Sequence, residues 1–337
     1  METTKSDILK TGTDLFGRAL LALVIIAVMF LAPFAEGVAN SATKKSFPNK
    51  KITWIVPYSP GGGYDTYARA IARVFSKYLP KKVNVIVRNI PGAGSMTGSI
   101  ALSRAEPDGH TIGILTLQGM AISPILRKKT VLDPSEFIYL GAVIRDPGSL
   151  LVAANSPFRS LQDLQKAQTV KFGATGPPST SWIAPKLAGP ILKIPVEIVT
   201  GYKGSTEYFT GMIRGDVDAA YNSVGSAVPF IKAGEIRPII LFRKSELQPN
   251  APVIEEGSPY EEMRLVGEDR VVAAPPGVPR EIADILEDAL MKSMKDKEVQ
   301  DWSSKTGYLL TPYTGEEVTV LADKLIKMYQ KYQDILR

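Results

Sequence analysis

The 337-residue chain contains no cysteine and a single histidine. The first absence excludes disulfides, thiolate metal sites, cysteine nucleophiles and a lipid-modified cysteine anchor. The second excludes a histidine-based metal cluster. His110 lies in Pro107-Asp-Gly-His-Thr111, a turn leading into an apolar strand, and is read as structural. No Gly-x-Ser-x-Gly elbow occurs, and the lone histidine has no obvious nucleophile partner. Runs of lysine and arginine interleaved with aromatics are also missing, which argues against nucleic-acid binding. Beyond the N-terminus, no apolar run is long enough to span a bilayer.

Residues 1–39 read as an export leader. Lys5, Lys10 and Arg18 precede an uncharged run over 19–35, and the small residues Gly37 and Ala39 suit a processing enzyme. The cut is placed after Ala39, with Ala35 and Ser41 as alternatives. An uncleaved anchor is the rival reading, because the run is close to the ~17-residue lower limit for a span. Pro33 and the small-residue exit favour cleavage. The full chain carries a net charge of +6; without the leader, which holds three basic and four acidic residues, it carries about +7. Residues 40–50 are polar and read as a flexible lead-in. The remainder is long enough for two modest domains.

What is present centres on glycine. In Trp54-Ile-Val-Pro-Tyr-Ser-Pro-Gly-Gly-Gly-Tyr-Asp-Thr-Tyr-Ala-Arg69 an apolar strand over 52–57 runs into Ser59, Pro60, Gly61, Gly62 and Gly63, and a helix opens near Tyr64 and Asp65. Consecutive glycines let a guest approach the backbone, and the helix start offers unpaired N–H groups with partial positive charge. A small anion, phosphate or carboxylate, is the natural occupant. A second copy follows: the strand 83–87 runs into Pro91-Gly-Ala-Gly94, then a helix over about 95–105. Two such openings on neighbouring parallel strands would face one crevice at the strands' carboxyl ends, placing Ala93 and Gly94 beside the first loop. Gly92, Gly94 and Gly98 also mimic a dinucleotide fingerprint. The next strand, however, ends at Thr116-Leu-Gln118 with neither an acid nor an arginine, so no cofactor is assigned.

Strands and helices alternate along the rest of the chain, predicting an α/β fold with largely parallel sheets. Two strands, 138–144 and 150–154, flank Arg145-Asp-Pro-Gly148 and look like a passage between lobes. A second α/β unit carries the hydroxyl-rich turn Thr175-Gly-Pro-Pro-Ser-Thr-Ser181, then the loop Gly201-Tyr-Lys-Gly204, and a strand ending at Asn222. Asp216 and Asp218 read as turn caps rather than acid–base machinery. Asp65 and Arg69, at i and i+4, read as an ion pair; the alternative has Asp65 orienting the glycine loop or holding water over a ligand. A final helix over about 316–336 should pack across the first lobe.

Taken in order, Pro57-Tyr-Ser-Pro-Gly-Gly-Gly-Tyr-Asp65, Asn89-Ile-Pro-Gly-Ala-Gly94, Pro107-Asp-Gly-His-Thr-Ile-Gly113, Gly201-Tyr-Lys-Gly204, Gly215-Asp-Val-Asp218 and Ala274-Pro-Pro-Gly-Val-Pro279 resemble the extracytoplasmic solute receptors of tripartite tricarboxylate transporters, the Bug/TctC-like proteins. The resemblance runs from about Lys50 to the C-terminus. It implies a two-lobed, type II periplasmic-binding-protein (Venus-flytrap) fold, each lobe a mostly parallel sheet flanked by helices. The expected lobes are 51–145 with about 240–337, and 146–239. The implied function is capture of a small carboxylate by hinge closure and its delivery to membrane transporter subunits, without turnover, by a periplasmic monomer. A signal-presenting sensor is the alternative, and a secreted enzyme a remoter one.

By the same resemblance, Ser59–Asp65, Ala93 and Gly94 bind from one lobe. Thr175, Gly176, Ser179, Thr180, Ser181, Tyr202, Lys203 and Gly204 approach from the other. Gln118 and Asn222, at strand ends, and Arg145 complete the candidate set. Arg145 would grip a second carboxylate if it faced the cleft, the alternative being a weak ion pair with adjacent or nearby acids on the surface. Where relatives often carry His-Leu after the serine-rich turn, this chain has Trp182-Ile183; and Tyr64 stands where many have a small residue. An aromatic or bulkier acid becomes conceivable, with ordinary packing the other role for Trp182.

Overall fold

The computed structural model describes residues 47–126 and 132–337, and the account below concerns 48–337. The expected leader and most of the lead-in lie outside the described residues. Strands are β1 (Ile52–Val56), β2 (Val85–Asn89), β3 (Thr111–Thr116), β4 (Ile138–Ala153), β5 (Val170–Gly173), β6 (Val196–Val199), β7 (Ala219–Ser223), β8 (Ile236–Leu241) and β9 (Gly267–Ala274). Helices are α1 (Gly63–Phe75), α2 (Met96–Ser103), α3 (Leu117–Leu126), α4 (Leu161–Lys166), α5 (Thr180–Leu192), α6 (Ser205–Arg214), α7 (Val224–Lys232), α8 (Arg280–Lys295), α9 (Lys297–Thr306), α10 (Gly315–Lys331) and α11 (Gln333–Leu336).

The strands join in the order β2-β1-β3-β9-β4-β7-β5-β6, with β8 also on β4. The outer pairs are parallel: β1 with β2 and β3, and β5 with β6 and β7. Strand β9 is antiparallel to β3 and β4, and β4 is antiparallel to β7 and β8. Each half of the sheet is thus a parallel set closed by antiparallel strands. The alternation of strands and helices predicts the parallel parts. A strand near Arg270–Ala274 is also expected from the sequence, but not its place: β9 arrives from far along the chain to lie between β3 and β4.

Strand β4 joins the two halves. Instead of two strands with a turn between them, residues 138–153 form one 16-residue strand that carries Arg145, Asp146, Pro147 and Gly148 within it. Its first part pairs with β9 down to Pro147↔Gly267, and its second with β7 and β8 from Gly148↔Ser223 and Ser149↔Leu241. Pro147 lacks an N–H and sits where the partner changes, so no ladder bond is forfeited. Gly148 follows because nothing larger fits: a Cβ there would lie 2.6 Å from the ring of Tyr221 and 2.8 Å from that of Phe242.

The helices cover the sheet with apolar stripes. On α1, Tyr64, Tyr67, Ala68, Ile71, Val74 and Phe75 are buried, the i, i+3, i+4 pattern of a one-sided helix. Helices α3 and α5 are buried nearly all round; the sequence predicts α5, from Trp182 to Leu192, but not α3, which has no one-sided apolar stripe. Gln118, expected at a strand end, stands instead in the first turn of α3. The C-terminal helix is also split. Thr314 and Glu317 form a capping box at the start of α10, which packs on β4 and α3. The chain then breaks at Tyr332, and α11 reaches α5, where Lys186 Nζ donates to the Ile335 carbonyl at 2.6 Å. Trp182 is buried in the main apolar cluster with Lys186 over its ring, in a packing role.

Gly148→Ala should overpack the Tyr221–Phe242 contact and cost about 1–3 kcal/mol in denaturant unfolding. An unchanged midpoint would mean that the ring pair yields freely.

Candidate functional site

The site is built where α1, α5, α6 and α7 begin beside the β4–β9 pair. At the first glycine loop, Gly61 has φ +84° and is held by its own N–H, which donates to Asp65 Oδ2 at 2.9 Å. Asp65 also accepts from Arg69 and from Asn89 Nδ2 at 2.9 Å. Asn89 in turn donates to the Tyr58 carbonyl at 3.0 Å. Asp65 therefore does both jobs the sequence allows: it pairs with Arg69 and it orients the loop. Burial alone would raise its carboxyl, but Arg69, the Gly61 amide and Asn89 outweigh that and hold it below the usual carboxylate range. Ser59, Pro60, Gly61 and Gly62 are exposed, and Gly62 supplies no side-chain cap, so the first amides of α1 are left without a side-chain acceptor. The second loop is strained where it turns toward α2: Ala93 has φ +48° and Ser95 +85°, values that cost a non-glycine residue.

Two cavities open at this junction. One, of about 190 Å³, brings together Thr175, Ser179, Thr180, Ser181 and Asn222, as expected, and adds Ser205, Tyr208 and Glu268. It lies at the starts of α5 and α6, neither of which has a side-chain cap. Its hydroxyls are already organised: Ser181 Oγ meets Thr175 Oγ1 at 3.2 Å and Ser179 Oγ at 2.9 Å, and Asn222 Nδ2 donates to Tyr208 Oη at 2.7 Å. Gly176, at φ +102°, lets the turn fold over them. Tyr202 does not line this cavity. Its ring packs beneath Gly211 and Gly173, while the Lys203 amide donates to Glu207 and Gly204 opens α6. That loop positions Ser205.

The second cavity, of about 350 Å³, is lined by Gly63 and by residues that the sequence does not single out, Arg270 and Tyr67 among them, with Asp146 from the crossing strand. Alternation on β9 explains how Arg270 comes to line it. Glu268 and Arg270 face one side of the sheet, and Asp269, fully buried, faces the other. Arg270 stacks near Tyr64 and Tyr67, 4.9 and 5.5 Å from the ring centroids, and its Nη2 would lie 3.4 Å from a Cβ on Gly63. Its Nε is buried without a hydrogen-bond partner, and among the described residues the guanidinium has no ion pair within 4.0 Å. Glu268 accepts from Tyr64 Oη at 3.4 Å and has the Thr180 hydroxyl beside it, so it stands between the two cavities. Burial pushes the carboxyls of both Glu268 and Asp146 up, with Arg270 pulling against it. Burial likewise raises the Tyr58 hydroxyl to about 12.

Gln118 and Arg145 lie behind this surface. Gln118 Nε2 donates to Asp269 Oδ2 at 2.6 Å, and Arg145 Nε to Asp269 Oδ1 at 3.2 Å, with its guanidinium over the Tyr313 ring. Arg145 does form an ion pair, but with the fully buried Asp269 and not with an acid on the surface. The cation that stands open beside the glycine loop is Arg270. A signal for it exists in the sequence, since Glu268-Asp-Arg270 heads a strand whose remaining residues, Val271–Ala274, are all buried.

Comparison with known proteins places this geometry. Residues 67–327 match the family described as the tripartite tricarboxylate transporter family receptor, TctC. The chain belongs to that family. It is 28% identical over 323 residues to a protein encoded in the tcbD–tcbE intergenic region of Pseudomonas sp. strain P51, covering 91% of this chain and 92% of that one. Among solved structures, a TctC solute-binding protein from Polaromonas without ligand superimposes with a TM-score of 0.71 at 21% identity, covering 86% of this chain and 99% of the other. MatC from Rhodopseudomonas palustris, solved with bound malate, gives 0.65 at 21% identity over 86% of this chain and all of the other. The TctC fold is therefore the fold of this chain, a two-lobed periplasmic-binding-protein architecture.

Because the carboxyl of Asp65 is depressed on folding, its contribution to stability is complete above the ordinary aspartate value near 4 and is lost as pH falls through the folded value. Asp65→Asn should lower stability at pH 7 and flatten the acid limb of unfolding free energy against pH below about 4. An acid limb as steep as the wild type's would remove Asp65 as the loop's anchor.

Proposed function

We propose that this TctC-family protein is an extracytoplasmic solute receptor that captures a small carboxylate in the cleft spanned by β4 and β9, and passes it to a tripartite transporter in the membrane. The observation that carries the reading is Arg270. A guanidinium without an acceptor, beside an uncapped helix start and on a cavity of about 350 Å³, is a prepared seat for a carboxylate. The glycine loop adds backbone amides, and the hydroxyl-rich starts of α5 and α6 offer a second polar wall. The malate held by a protein of the same fold supports the ligand class. The role assigned to this cleft is binding, with no chemical turnover.

We read residues 51–145 with about 240–337 as one lobe and 146–239 as the other, because β4 changes partners between Pro147 and Gly148. Closure then turns about that point, and a ligand that bridges α1 and α5 stabilises the closed form by the difference in its contacts. The α11–α5 contact ties the C-terminus to the second lobe and limits how far the lobes part.

A thermal-shift and calorimetric screen of the mature protein against mono-, di- and tricarboxylates tests the ligand class. A ligand at 100 times its Kd should stabilise by about 2.7 kcal/mol. Arg270→Gln should cost that ligand roughly 1.5–3 kcal/mol, the scale of hydrogen bonds to charged groups, and Arg145→Gln distinctly less. Equal losses in the two variants would remove Arg270 as the seat.

Export is the second requirement. Among the described residues no helix is long and apolar enough to cross a membrane, and the leader read over residues 1–39 supplies the route out. Mass spectrometry of the natively produced protein should find a mature N-terminus near Asn40 in the periplasmic fraction. An intact leader on membrane-bound protein would instead make this an anchored receptor.

A further inference from the structure

We propose that a groove at the outer edge of the sheet, between α1 and β2, is a docking surface for an acidic, extended segment of a partner protein, which joins the sheet there as an added strand. The groove lies apart from the cleft, and the proposal stands or falls independently of the carboxylate reading.

Strand β2 ends the sheet: among the described residues it pairs with β1 alone. The Ile52 amide donates to the Asn84 carbonyl at 2.9 Å, and the Ile90 amide to the Val56 carbonyl at 2.8 Å. In a parallel ladder alternate residues turn both backbone groups to the same neighbour. Ile86 and Arg88 therefore face β1, while Val85 and Val87 hold their N–H and C=O groups to the open edge. Beside that edge lie two hollows of about 600 and 260 Å³. They share Ala72 and Arg73 of α1 and Val85 of β2, and so make one continuous groove; Val87 lines the smaller hollow.

Charge chooses the occupant. The larger hollow is lined by Lys50, Lys51, Arg73 and Lys82 and by no acid, and Arg69 lines the smaller one. Lys50 pairs with Asp108 at 2.8 Å, and Arg69 with Asp65 at 2.9 Å. Lys51, Arg73 and Lys82 are exposed and have no acid within 4.0 Å among the described residues. Free cations along an unpaired strand edge suit a strand that carries carboxylates and brings its own N–H and C=O groups. A second copy of this chain is the wrong occupant, since β2 set against β2 would bring like charges together. Residues 40–46 are wrong for the same reason, having Lys44 and Lys45 and no acid. A flat anionic membrane would meet the exposed cations but leave the valines and the backbone edge unused.

The probe is a fluorescein-labelled ten-residue peptide of alternating valine and glutamate, followed by anisotropy with the natively processed protein. It should bind at about 0.05 M salt, weaken as salt is raised, and slow hydrogen exchange at the Val85 and Val87 amides. The same peptide with proline for each valine keeps the charge but loses half of its N–H donors. It should bind at least about tenfold more weakly. Arg73→Glu with Lys82→Glu should weaken the valine–glutamate peptide at least about tenfold, and Arg73→Gln with Lys82→Gln by less. Both positions are exposed, so both double variants should melt within about 3 °C of the wild type. Arg69 is left alone because it holds Asp65 and the glycine loop. No binding by the valine–glutamate peptide, binding that ignores the charge reversal, or equal binding by the proline peptide would overturn the proposal. So would recruitment to phosphatidylglycerol-containing vesicles that the reversal abolishes while the peptide stays unbound, which would make this face a membrane contact. A dimer in sedimentation that the reversal dissociates would overturn it too, making the face a contact between copies.

Discussion

Asp269 is fully buried, and three side chains converge on it: Gln118 from the start of α3, Arg145 from β4 and Arg243 from the end of β8. An ionised carboxylate in that position would be prohibitively costly without such partners. With them, it fixes the register of β9 against β4 at Arg145↔Asp269 and pins α3 to the same point. A slip of one residue would turn Asp269 toward the cleft and bury Glu268 and Arg270 behind the sheet. Breaking a buried pair of this kind commonly costs about 3–5 kcal/mol. The hub therefore decides which face of β9 carries Glu268 and Arg270.

From that register the electrostatics of the cleft follow. Strand alternation sends Glu268 and Arg270 forward, and antiparallel pairing sets Asp146 beside Glu268. The helix starts contribute partial positive charge from the other side, with α1 behind the glycine loop and α5 and α6 behind the serine-rich turn. Tyr64 and Tyr67 keep the guanidinium in place by stacking rather than by ion pairing, so its charge remains available. Pro147 and Gly148 sit where β4 passes from one set of partners to the other, close to these groups.

Much of this was legible beforehand. The glycine loops, the helix starts behind them, the serine-rich turn and the lone histidine's structural place all depend on short stretches whose conformation is set by local rules. His110 sits in its turn with its amide donating to Asp108, much as its neighbours suggest. Thr175, Ser179, Thr180, Ser181 and Asn222 meet at one cavity, since a turn and the next parallel strand deliver them to the same edge. Tyr202 and Lys203 fall beside it because a half-buried ring needs the space under Gly211 and Gly173. The two short strands around Asp146-Pro-Gly148 proved to be one, because a proline at a change of partner does not interrupt pairing.

The sequence by itself determined the α/β alternation, the anion-ready loops and membership of a recognisable receptor family, because each is written in neighbouring residues and in the periods 2 and 3.6. Tertiary structure alone decided that β9 returns between β3 and β4, that Arg145 and Gln118 serve a buried acid, and that Arg270 stands open to the cleft. These outcomes depend on pairing between segments more than a hundred residues apart, and the side a strand residue faces is fixed only when its partner's register is fixed.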